Sequence, residues 1–274
     1  MIGERDRPAE RVAEHHGAGR GMRRIGYPIG ICRTTVARRE LVTPRMLRLT
    51  LTGDDLAGFH SYVADDHVKI VFPHADGSRT DPVPNDRQLL DWPKPLPPTR
   101  TYTIRHVDVA AREVDLDVVL HSGGLAGDWA EAAAIGDPAV IAGPPGAKAF
   151  AHTHRHYVFA VDVTGLPAVA RWLDEADWLA AAGATAHVLV EHDHADETGY
   201  PLAVREGVEV RWLSRAEGSQ LGAQVRALDV PDDTFVFGAG EAEDLKAVRR
   251  WVAERELPAS ITGYWKRGVA GLDD

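Results

Sequence analysis

The hydrophobic period of this 274-residue chain changes once, and that change constrains the fold more than any single motif does. From about Arg24 to Gly146 the signals are those of short strands. Ile31–Arg38 and Met46–Thr52 carry β-branched residues and are separated by the turn-like Val42-Thr43-Pro44. His67–Phe72 is a short apolar stretch stopped by Pro73, and residues 76–98 read as a long polar, proline-rich loop. Arg100–Val107 and Glu113–His121 follow. In the second of these, Val114, Leu116, Val118 and Leu120 fall on one face and Asp115 and Asp117 on the other. Strands this short and closely spaced predict an antiparallel barrel or sandwich. From about Tyr157 strands alternate with helices instead. Tyr157–Val163, Thr185–Glu191, Val208–Leu213, Thr234–Phe237 and Ser260–Tyr264 read as strands. Helices are expected from Thr164 to about Ala182, over Gln220–Leu228 and over Glu241–Glu254. Thr164 suits the N-cap and Pro167 the first turn of the first helix. Alternation of this kind predicts a parallel α/β sheet. The expected fold is therefore a two-domain α+β chain, an antiparallel β-domain (barrel or sandwich) over 24–150 and a parallel-sheet α/β domain over 155–268.

Charge and cysteine content remove several classes of function. The net charge of −10 and sequence pI of about 5.7 are the wrong sign for a general binder of nucleic acid. The single cysteine, Cys32, permits neither an internal disulfide nor a thiolate-held iron–sulfur cluster, and suits a reducing cytoplasm. Redox chemistry would have to come from an organic cofactor or a metal without thiolate ligands. No stretch approaches the ~20 apolar residues that span a bilayer. Residues 1–23 are charged and glycine-rich, lack an apolar signal core, and are expected to be a mostly disordered tail.

The densest chemistry is in Arg100-Thr101-Tyr102-Thr103. A cation for a phosphate, a ring for a flat heterocycle and a hydroxyl for its polar edge are what a flavin requires. In isolation the same residues make an ordinary surface strand. The next strand runs into His121-Ser122-Gly123-Gly124 and a helix from Leu125. A glycine turn into a helix start offers free N–H groups to a pyrophosphate, and serves equally as a plain connecting turn. In open α/β sheets, ligands sit beyond the carboxyl ends of the strands. Here those ends are Val163-Thr164-Gly165, Glu191-His192, Ser214-Arg215 and Gly238-Ala239-Gly240-Glu241. Arg215 suits the 2′-phosphate of NADPH, or is a surface arginine at a strand end; Glu191 argues the other way, for the ribose of NADH, and of the two donors NADPH is expected. His152, His154 and His156 alternate, as do His192 and His194, but without a supporting carboxylate they read as solvated loop histidines, and no metal site is assigned.

Taken in order, DDHVKIVFP, RTYTIR, DVVLHSGGLAGDWA, GDPAVIAGPPGAKAF, VDVTGLPAVARWL, FVFGAGEAEDLKAVRRWV and GYWKRG resemble the siderophore-interacting proteins. These are FAD-dependent ferric-siderophore reductases related to the ferredoxin–NADP reductases. The resemblance runs from about Arg24 to Gly268. It implies an FAD-binding barrel followed by an NAD(P)H-binding-like α/β domain. Arg100 would lie on the FAD phosphates, Tyr102 on the isoalloxazine and Thr103 at its N5/O4 edge. His121, Ser122, Gly123, Gly124, Ala126, Gly127 and Trp129 would surround the pyrophosphate and adenosine. Asp162 and Thr164 would reach the adenine side, and Arg215 and Glu241 would serve the cofactors at the strand ends. Lys69, Lys266 and Arg267 would hold the anionic iron chelate, with Lys94 and Lys148 as weaker candidates. The chain departs from the family's usual pattern in having Gly127 for a serine and Val161-Asp162-Val163-Thr164 for Gly-Asp-Glu-Thr. The implied activity passes electrons from NADPH or NADH, or from ferredoxin, through flavin to Fe(III) in a siderophore. A cytoplasmic monomer acting on a small molecule is expected, with no nucleic-acid or membrane partner. Two other classes share these features: a flavin oxidoreductase with another acceptor (quinone, free flavin or a protein), and a module that binds flavin or siderophore without turnover.

Overall fold

A computed structural model describes residues 5–121 and 123–271. These described residues divide into two compact units, one within 5–12 and 24–148 and the other of 13–23 and 149–271.

In chain order the first elements are α1 (Pro8–Ala18), β1 (Met22–Gly26), β2 (Ile31–Thr43), β3 (Met46–Thr52), β4 (His67–Val71), β5 (Val83–Pro84), β6 (Leu90–Asp91), β7 (Thr99–Asp108), β8 (Glu113–Val119), α2 (Leu125–Ala132), β9 (Pro138–Ala142) and β10 (Gly146–Phe150). Six strands close into an antiparallel barrel in the order β2-β3-β8-β7-β4-β9. The alternation on β8 works as written: Val114, Leu116 and Val118 are buried in the barrel core with Leu49, Leu51, Val68, Ile70, Ile104 and Ile141. On its other face, Asp117 takes a two-pronged ion pair from Arg48 at 2.7 and 2.8 Å, and Asp115 accepts from the Thr50 hydroxyl at 2.6 Å. Ala126, Ala130 and Ala133 of α2 and its flank close the core, which the small side chains allow.

The second unit holds β11 (His156–Asp162), α3 (Leu166–Glu175), α4 (Trp178–Ala181), β12 (Thr185–His192), β13 (Val208–Ser214), α5 (Leu221–Ala227), β14 (Thr234–Glu241), α6 (Leu245–Glu254) and β15 (Ala259–Trp265). Its five strands run parallel in the order β13-β12-β11-β14-β15. Every residue of β11 and β14 is buried, as expected for central strands covered on both faces.

Three expectations change. The segment read as a disordered tail carries α1 and the start of β1. Polar composition hid a helix held by specific contacts: the His16 and His152 rings stack at 3.9 Å, and His152 stacks on Trp178 at 4.3 Å. The long helix after Thr164 breaks into a 3₁₀ turn (Val163–Gly165), α3 and α4, with the break at Ala176-Asp177. Thr164 is not an N-cap: Asp162 caps the 3₁₀ turn, accepting from the Thr164 N–H at 2.9 Å and from its hydroxyl at 2.6 Å, and Gly165 precedes α3 with no side-chain cap. Finally, Glu241 ends β14 rather than opening α6, which starts at Leu245.

Candidate flavin cradle and strand-end cluster

On the barrel, β7 pairs with β4 so that Arg100 lies opposite Ile70 and Tyr102 opposite Val68. Arg100 and Tyr102 therefore share a face with core-directed residues. Thr101 and Thr103, opposite Lys69 and His67, take the other face. The half-buried Tyr102 ring packs on the barrel core, and burial pushes its hydroxyl up to about 12, so it stays neutral. Arg100 has its guanidinium Nη1 on the Thr99 carbonyl at 2.7 Å and no carboxylate partner among the described residues. A cation free of acids, beside a ring seated on the core, is the arrangement that an anionic aromatic ligand needs.

Because β7 and β8 are antiparallel, the start of β7 and the end of β8 lie toward the same end of the barrel. There β8 passes through exposed His121 into the glycine turn. Gly123 sits at φ +79°, a conformation that side chains rarely adopt. Gly124 occupies the N-cap of α2 with no side-chain hydrogen bond, so the first-turn N–H groups have no cap. A Cβ on Gly124 would run into the His121 ring, and one on Gly127 would come within 2.8 Å of the His121 carbonyl oxygen. At Gly127 the clash is with backbone atoms, and this close fit accounts for glycine where the family often has serine. Asp128 competes for the turn by accepting from the Gly123 N–H at 3.1 Å. Ala126 is buried, and Trp129 packs edge-on against Phe72 at 5.5 Å as part of the barrel's hydrophobic core. Ser122 lies outside the described residues. The residues present fit a pyrophosphate held by backbone N–H groups and a flat ring beside Tyr102.

Within the α/β unit, the strand ends converge on a buried electrostatic cluster. Arg215 follows β13 with its side chain only 6% exposed. It pairs with Asp162, Glu191 and Asp193 at 3.3 Å each and with Asp244 at 3.8 Å. Burial pulls its pKa down, but the four carboxylates more than offset this and the net shift is upward. Asp162 also accepts from the Glu241 N–H at 2.9 Å and the Trp265 indole N–H at 2.8 Å. Glu191 accepts from the N–H groups of Gln220 and Leu221. Glu241 accepts from the N–H groups of Glu243, Asp244 and Arg267 at 2.6, 2.9 and 3.0 Å; with the Arg267 charge these hold its carboxyl below the usual range despite burial. Trp265 lies between two guanidinium groups, Arg215 at 5.9 Å and Arg267 at 5.6 Å from its ring centre.

The cluster changes the standing of several predicted residues. Asp162, Thr164, Arg215 and Glu241 are indeed gathered at the strand ends, but each polar group is engaged within the α/β unit itself. Lys266 pairs with Glu243 at 3.1 Å, and Arg267 with Asp244 at 2.6 Å. Lys69 is different: its ammonium donates to the Thr101 hydroxyl at 3.3 Å and pairs with no acid among the described residues. The sequence reading passed over Asp193, Asp244 and Trp265. Only the placement of Asp193 just past the end of β12 hinted at the first of them. Among the described residues no group of three or more potential ligands is placed to hold a metal ion, and His192 and His194 bond only locally.

An FAD-binding barrel ahead of a covered parallel sheet defines a flavin-dependent oxidoreductase. A family model described as the siderophore-interacting FAD-binding domain matches residues 35–148, and one described as siderophore-interacting protein matches residues 154–268. The chain belongs to the siderophore-interacting protein family. It is similar to the NADPH-dependent ferric-chelate reductase of Escherichia coli, 31% identical over 84% of this chain and 91% of that protein. It is also similar to the ferric vibriobactin reductase of Vibrio cholerae, 29% identical over 84% of this chain and 88% of that protein. Among solved structures, a siderophore utilization protein from T. fusca superposes with a TM-score of 0.84 at 34% identity, covering 92% of this chain and 98% of that one.

Proposed function

We propose that this chain is a ferric-siderophore reductase, taking electrons from a nicotinamide donor and delivering them to Fe(III) in a bound chelate. Bound FAD would supply the conversion that the reaction needs, accepting a two-electron hydride and releasing electrons singly. The protein's own part is binding and orientation. Arg100 would neutralise FAD phosphate, the bare N–H groups of residues 124–127 would take up the pyrophosphate, and Tyr102 would seat the ring system. Thr103 would present its hydroxyl to the ring's polar edge. The substrate is an anionic iron complex, and Lys69, Lys266 and Arg267 are the cations assigned to it. Iron(II) binds hard oxygen ligands more weakly than iron(III) does, so reduction alone releases it. Outer-sphere transfer to iron requires no general acid or base, and we assign none.

The observation that carries this reading is the acid-free Arg100 and core-seated Tyr102 at the barrel end that also holds the glycine turn. The names of the E. coli and V. cholerae relatives support the iron chelate as acceptor. The test is an anaerobic assay on the FAD-loaded chain, with ferric siderophores, quinone and free flavin as alternative acceptors and an Fe(II) trap. Trapping of Fe(II) at rates exceeding those for the other acceptors supports the proposal. Fast reduction of quinone or flavin without Fe(II) overturns the choice of acceptor, and a chain that takes up no FAD overturns the whole.

A further inference from the structure

The dinucleotide-binding rule gives two signatures at strand ends: an acid that accepts from the ribose hydroxyls of NADH, or an arginine that takes the 2′-phosphate of NADPH. This chain has both, and the structure shows them spent on each other. Glu191, at the end of β12, is fully buried and accepts from two backbone N–H groups and from Arg215. Arg215, at the end of β13, is 6% exposed and shared among carboxylates. Asp193 is the member of this cluster that reaches solvent, with half its side chain exposed. Its partner is Arg215 Nη1, at 3.3 Å.

We propose that Asp193 selects the electron donor, so that this chain takes the nicotinamide dinucleotide lacking a 2′-phosphate, NADH. The inference rests on the nicotinamide-donor part of the function proposed above. A 2′-phosphate brought to these strand ends meets the Asp193 carboxylate first. To reach Arg215 it must displace Asp193 and then share the guanidinium with Asp162 and Glu191, which cannot move away because backbone N–H groups hold them. Like charges set against each other are the usual means of rejecting a ligand. Three of the cations nearby are already committed: Lys246 and Lys266 share Glu243, at 2.6 and 3.1 Å, and Arg267 is held by Asp244. Arg250 on α6 is the remaining rival, which titration with the 2′-phosphate addresses. A free ribose diol makes the opposite match, because two hydroxyl donors meet an exposed acceptor. The E. coli relative is named for NADPH, whereas the pairing of Arg215 with Asp193 is read on this chain alone.

The test is calorimetric titration of the FAD-loaded chain with ADP-ribose and with its 2′-phosphate, which reports binding without any redox step. Wild type is expected to bind ADP-ribose at least about tenfold more tightly. Asp193→Ala is expected to narrow that ratio by roughly tenfold, by weakening ADP-ribose and strengthening its 2′-phosphate, while Asp193→Glu restores the preference. A purely structural Asp193 would lower both affinities alike and leave the ratio unchanged, which overturns the proposal. Wild type that binds the 2′-phosphate equally or better also overturns it, and would place the phosphate on another cation such as Arg250. Binding of neither compound overturns it together with the nicotinamide-donor reading on which it rests.

Discussion

Lys69 and Lys266 carry the same charge in different company. Lys266 shares Glu243 with Lys246, whereas Lys69 has a hydroxyl beside it. An anionic chelate must break an ion pair to use Lys266 but not to use Lys69. Lys69→Ala is therefore expected to raise the KM for ferric siderophore about three- to tenfold at unchanged kcat, and Lys266→Ala by less, a difference of ~1 kcal/mol or below. Steady-state kinetics at two ionic strengths check this, since the Lys69 effect should shrink as salt screens it. Gly127 is the clearest steric constraint. Gly127→Ser would restore a hydroxyl common in the family, but its Cβ would press on the His121 carbonyl oxygen at 2.8 Å. Overpacking of this kind costs ~1–3 kcal/mol, so thermal stability and FAD affinity should both fall in this variant. Tyr102→Ala removes a ring seated on the barrel core and should raise the FAD dissociation constant about tenfold, as read by flavin fluorescence.

At the scale of elements, what could be read from the sequence followed burial. The alternation Val114, Leu116, Val118 declared β8 because one face meets the core and the other meets Arg48 and Thr50. Tyr157–Val163 was equally legible, since both faces of β11 are covered. Helix α1 was not, because histidines rather than an apolar stripe hold it: His16 and His152 stack, and His15 Nε2 lies 3.2 Å from the Gly21 carbonyl. The strand-end cluster was hidden for a related reason. Its acids come from the ends of three separate strands, and nothing local distinguishes Asp193 from a surface aspartate. Arg100 and Tyr102 were recognisable as a motif; their shared face required the pairing with β4.

The histidine contacts also make α1 acid-sensitive. Burial, with the neighbouring histidines, holds His16 down to about 4 and His152 to about 3. Both are therefore neutral in the fold, while the unfolded chain takes up protons near pH 6.5. The unfolded state thus binds more protons as pH falls below 6.5, and stability declines from there toward pH 4. Around His152 the facing groups are His16, His15, Phe150 and Trp178, none of them an acid that could offset the charge. Corrected for the intrinsic slowing of amide exchange in acid, the protection factors over residues 8–18 should fall between pH 6.5 and 4.5, ahead of those in β11 and β14. An equal fall in all three would mean that the histidines do not govern α1.

On the scale of the whole molecule, the substrate proposed for this chain of net charge −10 is itself anionic, so attraction must be local and unit-specific. No helix among the described residues is long and apolar enough to cross a membrane. The barrel unit supplies a cation without an acid and a bare glycine turn. The α/β unit supplies strand ends whose charges are already balanced against each other. Together these features are proposed to serve electron transfer to a ferric siderophore. Anaerobic mixing of the FAD-loaded chain with NADH, followed by ferric siderophore and an Fe(II) trap, tests this. The flavin absorbance should bleach with NADH and return on adding the ferric siderophore, with two Fe(II) trapped per flavin reoxidised. Flavin that is bleached by NADH but stays reduced in the presence of ferric siderophore, with no Fe(II) trapped, would contradict the proposal.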